Sequence, residues 1–372
     1  MPRVLILSAP YGSGHERVAA ALERAFAEEG AQVEVVDHFR RFVSPAFVRG
    51  SLVLFWTTLR WAPWLWGLAY RVSGRMGPGS PAMRGVDRLG ATGLGGYLRA
   101  TRPDVVVHVH PTPAGAMAWL RARGLTRVPH GIVLTDFVAH PQWIHAGLER
   151  YFVPAEDIRA ELLARGVSPD RVVASGIPIG PAFALPADRA ALRRDLGLAP
   201  SPPAVLVTGG MRGSLGGIAE ACAVLAGLPV AFQAAAVCGD HARLARRLRA
   251  RHAGDPRFRV LGRVFDMERV IGAVDLVVTK AGAVTCAEAL ALERPLLFYR
   301  SLPGQERANE VFLERAGAGV RAPDRMSLAA RLRALLAEPS RLGVLEAAAR
   351  RLRRAEGGRL VAKEMLALAG RG

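Results

Sequence analysis

The sequence predicts an α/β protein of two doubly wound, Rossmann-like domains, and three observations carry that prediction. An apolar strand followed by a glycine turn and a helical pattern occurs twice, opening near residue 4 and again near residue 204. Between the two lies a proline-rich stretch holding Pro178, Pro181, Pro186, Pro200, Pro202 and Pro203, which reads as a linker. The chain has 372 residues and is 51% hydrophobic, enough for two cores and too apolar for disorder.

The elements follow in order. Residues 4–7 (VLIL) form a buried strand, Pro10-Tyr11-Gly12-Ser13-Gly14-His15 the turn, and Val18, Leu22, Ala25 and Phe26 recur at helical spacing. Residues 32–36 (QVEVV), 105–109 (VVVHV), 131–135 (GIVLT) and 150–153 are the further strands of the first half. A helical stretch at 187–196 interrupts the linker. The second half opens with 204–207 (AVLV), the loop Thr208–Gly213 and a helix from about Gly217, and adds strands at 230–233, 258–261, 275–279 and 295–298. The division is then residues 1–176, a linker at 177–203, residues 204–345, and a C-terminal helix at 346–372. Two such domains would face a central cleft at the carboxyl ends of their strands, with one ligand on each.

Composition narrows the function. The three cysteines, Cys222, Cys238 and Cys286, lack any CxxC spacing, which argues against a disulfide framework and a cysteine zinc site. The opening residues read as a strand, not a signal peptide, so the expected setting is cytosolic. Net charge is +18, carried almost entirely by arginine, since the only lysines are Lys280 and Lys363. Such an excess suits phosphate-bearing or anionic partners.

Residues 39–84 say which kind. They hold Trp56, Trp61, Trp64 and Trp66, four of the six tryptophans, with seven arginines and no acid. Residues 51–70 approach the length of a membrane span, but Arg60 and Pro63 sit at the middle, where an arginine costs roughly 2.5–3.5 kcal/mol. The stretch reads as an interfacial segment, with aromatics at headgroup level and arginines on anionic lipid; a helix pair packed on the core is the other reading. The aromatics cluster in an apolar run with no RNA-binding motif, so nucleic acid is not an expected partner.

The glycine loops were tested for nucleotides. Gly12-x-Gly14, with Asp37 ending the second strand, invites a dinucleotide reading, but Arg17 stands where the third glycine belongs. There is no Walker A motif and no Asp-x-Asp pair to clamp a metal. His108 and His110 alternate, as if on one strand face, but lack a third ligand, so no metal site is expected. Phosphate must then be met by helix N-termini and arginine. Gly210 with Arg212 is one such place. Lys280-Ala281-Gly282-Ala283-Val284-Thr285 is the other, with Thr285 able to cap the helix that follows. Glu288, one turn on, is placed to reach ribose hydroxyls, and Gln305 and Glu306 present an amide and a carboxylate to sugar hydroxyls.

Four stretches carry a family resemblance. They are Tyr11-Gly-Ser-Gly-His15; Thr135-Asp-Phe137 with His140-Pro-x-Trp143; Tyr151-Phe-Val153 running to Ser175-Gly-Ile-Pro178; and Lys280–Glu288 with Pro303–Asn309 (PGQERAN). In these the sequence resembles the monogalactosyldiacylglycerol synthase and processive diacylglycerol glucosyltransferase family, relatives of the cell-wall muropeptide N-acetylglucosaminyltransferase. The resemblance implies a GT-B fold, a lipid acceptor on the first domain, a UDP-sugar on the second, and inverting, metal-independent transfer. It places the uracil on the backbone at Val264 and Phe265, and gives Glu288 the ribose and Gln305 and Glu306 the sugar. Relatives usually carry Pro-Gly-Gly after the lysine where this chain has Ala-Gly-Ala. Such a transfer needs a base, and His15 is the first candidate, with Asp136 the second as base or orienting partner. Gly12, Gly14, His140 and Trp143 would shape the acceptor pocket, with the four tryptophans on the membrane.

The expected function is therefore transfer of a hexose, glucose before galactose, from a UDP-sugar to a lipid hydroxyl, foremost 1,2-diacylglycerol. The enzyme would be peripheral on the cytoplasmic face of the membrane and would need no cofactor beyond the donor. A polyprenyl-linked acceptor is one alternative; a non-catalytic lipid- or nucleotide-binding relative, suggested by Ala281 and Ala283, is the other.

Overall fold

The computed structural model describes residues 1–76, 80, 85–185, 188–209 and 217–369. The chain divides into two units. Unit 1 comprises Met1–Gly180, Pro303–Gln305 and Glu356–Gly372, and unit 2 Pro181–Leu302 and Glu306–Ala355. Each is a six-stranded parallel sheet flanked by helices, the doubly wound architecture read from the sequence.

In unit 1 the strands are β1 (Arg3–Ser8), β2 (Gln32–Asp37), β3 (Val105–His108), β4 (His130–Val133), β5 (Arg150–Phe152) and β6 (Val172–Val173). They lie in the order β2-β1-β3-β4-β5-β6. The chain leaves β1 toward one edge and returns to add β3 on the other side. The winding therefore reverses between β1 and β3, which opens a crevice at their carboxyl ends. Helix α1 (Ser13–Glu28) follows β1 and buries Val18, Leu22, Ala25 and Phe26, the four residues that announced it.

After β2 the chain forms three helices: α2 (His38–Phe42), α3 (Pro45–Trp61) and α4 (Pro63–Ser73). Ser44 starts α3 by accepting the Phe47 N–H at 3.3 Å, with Pro45 in the first turn. Pro63, which has no N–H to continue α3, begins α4 instead. No helix among the described residues is long and apolar enough to cross a membrane. Then come α5 (Ala91–Thr101), α6 (Pro111–Arg121) and α7 (Glu156–Ala164).

Unit 2 repeats the plan with β7 (Ala204–Thr208), β8 (Gln233–Val237), β9 (Phe258–Leu261), β10 (Leu276–Thr279), β11 (Leu296–Tyr299) and β12 (Gly319–Ala322), in the order β12-β11-β10-β7-β8-β9. Its reversal falls between β7 and β10. Its helices are α8 (Arg189–Asp195), α9 (Ile218–Ala226), α10 (Ala242–Arg251), α11 (Met267–Ala273), α12 (Ala283–Ala291), α13 (Gln305–Arg315), α14 (Arg325–Ala337) and α15 (Pro339–Leu352). Asp275 fixes the start of this sheet, accepting the Ala204 N–H at 2.7 Å and pairing with Arg189 and the buried Arg193.

The C-terminal residues are divided between the units. Helix α15 stays with unit 2, whereas α16 (Gly357–Leu366) packs on α1 in unit 1. The approach is backbone-close: a Cβ on Gly357 would lie 2.8 Å from the Ser175 carbonyl, and one on Gly131 would lie 2.6 Å from Met365 Sδ.

Two sequence expectations need correction, and two strands went unread. The strand expected at 230–233 is β8, at Gln233–Val237. Its Gln-Ala-Ala-Ala-Val has little β preference, and it is a strand because it is wholly buried between β7 and β9. The short β6 and β12 gave too little apolar run to be seen. His108 and His110 do not share a strand face: β3 ends at His108, and His110 caps α6 by accepting the Thr112 N–H at 3.2 Å.

Candidate active site

The winding reversal of unit 1 gathers the first set of functional residues. Gly12 precedes α1 with φ +111°, a backbone that side chains rarely adopt, and it offers no side-chain cap. Helix α1 therefore begins with unsatisfied N–H groups at Ser13, Gly14 and His15. His15 Nδ1 donates to the Val109 carbonyl, just beyond β3, at 2.7 Å, with Thr135 Oγ1 3.3 Å away. A carbonyl only accepts, so Nδ1 carries the proton and Nε2 keeps its lone pair. Burial lowers the His15 pKa to about 4, outweighing the raising effect of the Val109 bond. His15 is thus neutral at pH 7, half-buried, and fixed in the tautomer a general base needs.

Aromatic rings link His15 to α3 and α4. His110 meets His15 edge-on at 5.0 Å between centroids, and Tyr11 lies 6.1 Å from His110. Tyr11 packs edge-on against Phe55 at 5.7 Å, and Phe55 against Trp66 at 5.1 Å. The Tyr11 hydroxyl bonds Ser51 Oγ at 2.7 Å, so the turn after β1 is tied to α3. Sequence reasoning named Tyr11 only as part of a motif and missed Val109, His110 and Ser51 as neighbours of His15.

The four tryptophans divide. Trp61 and Trp64 are 75% and 63% exposed, with Val53, Leu54, Leu65 and Leu68 exposed beside them. Trp56 and Trp66 are half-buried, each packed on Phe55. The helix pair thus packs two of its tryptophans and leaves the other two exposed. Gln305 lies in the part of the chain that groups with unit 1, and its Oε1 accepts from Trp66 Nε1 at 3.0 Å.

Other acceptor-side expectations are placed more deeply. Trp143 is a core residue, 2% exposed, in a short turn that His140 caps through the Gln142 N–H. His140 is buried, its ring 4.5 Å from Tyr70 and its Nε2 3.2 Å from the Tyr70 carbonyl. Both therefore support the loop around Asp136. Asp136 is half-buried next to Thr135, and its charge, after burial, helps push the Tyr70 hydroxyl pKa upward.

Unit 2 gathers the second set where its winding reverses. Gly282 follows β10 and precedes α12 without a side-chain cap. Thr285 does not cap the helix as expected: it lies three residues inside, too far along to reach the first turn's donors from outside. The N–H groups of Ala283, Val284 and Thr285 are therefore the orphan donors of a helix start, the arrangement that takes up an anion. Asn309, wholly buried on α13, holds the loop by donating to the Ala281 carbonyl at 3.1 Å, and Ser301 Oγ accepts the Ala281 N–H at 3.1 Å. Lys280 Nζ donates to Glu306 Oε1, and Glu306 Oε2 accepts the Leu302 N–H at 2.8 Å, so the carboxylate ties the loops after β10 and β11 together. Glu288 lies on α12, 3% exposed, on the face shared with Val284.

Val264 and Phe265 lie in the loop between β9 and α11, where Phe265 is 85% exposed under the Arg263 guanidinium, 5.0 Å from its centroid. Gly210 and Arg212 lie outside the described residues. Among the described residues no group of His, Cys, Asp or Glu is arranged to hold a metal ion.

Comparison with known proteins covers most of the chain. Residues 15–179 match the family described as Monogalactosyldiacylglycerol (MGDG) synthase, and residues 204–356 the Glycosyltransferase family 28 C-terminal domain. A processive diacylglycerol beta-glucosyltransferase of Bacillus cereus (strain AH187) is 30% identical over 356 residues, 95% of this chain and 91% of that protein. The enzyme of the same name from Bacillus mycoides (strain KBAB4) is 29% identical over the same shares. Among solved structures, Acinetobacter baumannii MurG superposes with a TM-score of 0.66 at 15% identity, covering 99% of this chain and all of that one. The S. aureus MnaA–UDP structure gives 0.62 at 15% identity, over 99% and 98% of the two chains.

Proposed function

Because this chain belongs to the monogalactosyldiacylglycerol synthase and processive diacylglycerol glucosyltransferase family of GT-B glycosyltransferases, we propose that it moves a hexose, foremost glucose, from a UDP-sugar to the free hydroxyl of 1,2-diacylglycerol. The observation that carries the reading is the neutral His15, with Nδ1–H committed to Val109 and Nε2 left as base.

The chemistry is a single displacement. The acceptor O–H gives its proton to His15 Nε2 while its oxygen bonds to the anomeric carbon from the face opposite the phosphate. The bond from that carbon to the phosphate oxygen breaks, its electron pair leaves with UDP, and configuration inverts. The charge growing on the diphosphate is met by the start of α12, whose dipole and free N–H groups favour an anion without a metal. Glu288 holds the ribose, Gln305 and Glu306 the sugar, and the backbone at Val264 and Phe265 the uracil.

The acceptor comes from a membrane. Trp61 and Trp64 seat α3 and α4 at headgroup level, and Arg49, Arg60, Arg71 and Arg75, on or just after the same helices, meet anionic lipid at about 1 kcal/mol each. The aromatic rings from Trp66 to Tyr11 make an apolar route toward His15. The enzyme then works as a peripheral protein of the cytoplasmic face.

The donor half is tested by calorimetry with UDP and Glu288→Ala. Loss of UDP binding with vesicle binding intact supports the reading. Unchanged UDP affinity removes Glu288 from the site.

A further inference from the structure

Unit 2 holds a cavity that the transfer reaction does not use. It has a volume of about 410 Å³ and lies where α10 ends against β9, lined by Arg249, His252, Asp255, Phe258 and Arg259. Strands β8 and β7 separate β9 from β10, so this place is not the donor loop.

Its polar groups are built in. His252 is 8% exposed and stacked on Phe258, with centroids 4.1 Å apart and planes 24° from parallel. Its Nε2 is buried without a hydrogen-bond partner. Arg249 is braced by Nε, which donates to the Val260 carbonyl at 3.1 Å and leaves the two terminal nitrogens for a ligand. Arg259 spends its donors on the carbonyls of Pro256, Phe258 and Gly197 but keeps its charge at the wall. The one acid, Asp255, has both oxygens taken by Arg257. Arg246 lies one turn before Arg249 on the same exposed helix face.

We propose that this cavity binds a phosphate group, as a monoester or diester, between the Arg249 guanidinium and the His252 ring. A guanidinium with two free donors beside a ring nitrogen matches the acceptor-rich geometry of phosphate. Burial first, then Arg251 and Arg257, hold the His252 pKa below its ordinary value against the opposing pull of Asp255, so arginine charge lies near the ring. The phosphate can belong to a lipid headgroup or to a soluble molecule.

Histidine ring signals of the full chain decide it. Inorganic phosphate is titrated against chloride at constant ionic strength, with His252 assigned by the signal lost in His252→Asn. The expected result is a saturable shift of the His252 ring and a rise in its apparent pKa, weakened about tenfold in Arg249→Gln and partly restored in Arg249→Lys. In a second arm, sedimentation with phosphatidylcholine vesicles containing phosphatidic acid separates the sources. Weaker binding by Arg249→Gln assigns the site to a headgroup, and equal binding with an intact phosphate response assigns it to a soluble phosphate. No His252 response to either probe, or one that survives in folded Arg249→Gln, overturns the proposal.

Discussion

In the proposed reaction, the chemistry rests on one proton at His15. The glycine loop made it visible in the sequence, because a histidine ending such a turn stands at the carboxyl edge of a sheet. Its tautomer was not visible, because the Val109 carbonyl that sets it arrives from a strand 94 residues away. Two outcomes follow. His15→Ala should lower turnover by about 10²–10⁴-fold with little change in UDP affinity. If activity survives, Asp136 inherits the role. The pH profile supplies the second check. A base must be unprotonated, and the pKa is lowered to about 4. Activity should therefore persist as pH falls through about 6.5, where an ordinary histidine would be lost, and decline only near 4 to 5. An acid limb centred near the ordinary value would contradict the lowering of the His15 pKa by burial. Thr285 shows the opposite failure: its residue type suits a cap, but the helix begins at Ala283, and a shift of three residues turns a cap into an interior position.

At the scale of elements, α3 and α4 show what composition can and cannot do. Four tryptophans among arginines suggest a membrane face to the reader of the sequence, but composition alone does not sort them. Helical spacing and the break at Pro63 turn Trp61 and Trp64 outward and Trp56 and Trp66 toward Phe55. Replacing Trp61 and Trp64 together with Ser should release the protein from anionic vesicles and leave the melting temperature nearly unchanged, since exposed side chains add little to folding. Retention on vesicles would place the membrane face elsewhere. The alanines of β8 are the converse case, a strand made by its neighbours and hidden from any reading of local preference.

The molecule as a whole carries an acid liability in unit 1. His38, His108 and His130 are wholly buried, and burial holds all three below their ordinary pKa. His108 Nε2 and His130 Nδ1 share one hydrogen bond of 3.0 Å, and His108 Nδ1 has no partner. Above about 6.5 these rings are neutral whether the chain is folded or not. Below it only the unfolded chain takes up their protons, so stability falls by up to about 1.4 kcal/mol per pH unit for each, until the folded-state pKa is reached. Asp87 acts the other way, because burial raises its pKa to about 6 and the folded form then gains a proton first. One carboxyl against three histidines loses. Calorimetric melting should therefore be flat from about pH 8 to 7 and fall steadily below about 6.5; a melting temperature that rises on acidification would contradict this balance. The two-unit plan itself was legible because each unit opens with strand, glycine turn and helix. The docking of α16 on α1 was not, since it brings Gly358 against Ala25 from the opposite end of the sequence.

Product analysis tests the central claim most directly. The purified protein is mixed with diacylglycerol in anionic vesicles and, in separate reactions, UDP-glucose, UDP-galactose or UDP-N-acetylglucosamine, with a chelator present. Lipids are separated by thin-layer chromatography and weighed by mass spectrometry. The account predicts a hexosyl-diacylglycerol with a UDP-hexose, UDP-glucose foremost, formed without metal and lost in His15→Ala. No glycolipid with any of the three donors, from protein that sediments with the vesicles and binds UDP, would contradict it.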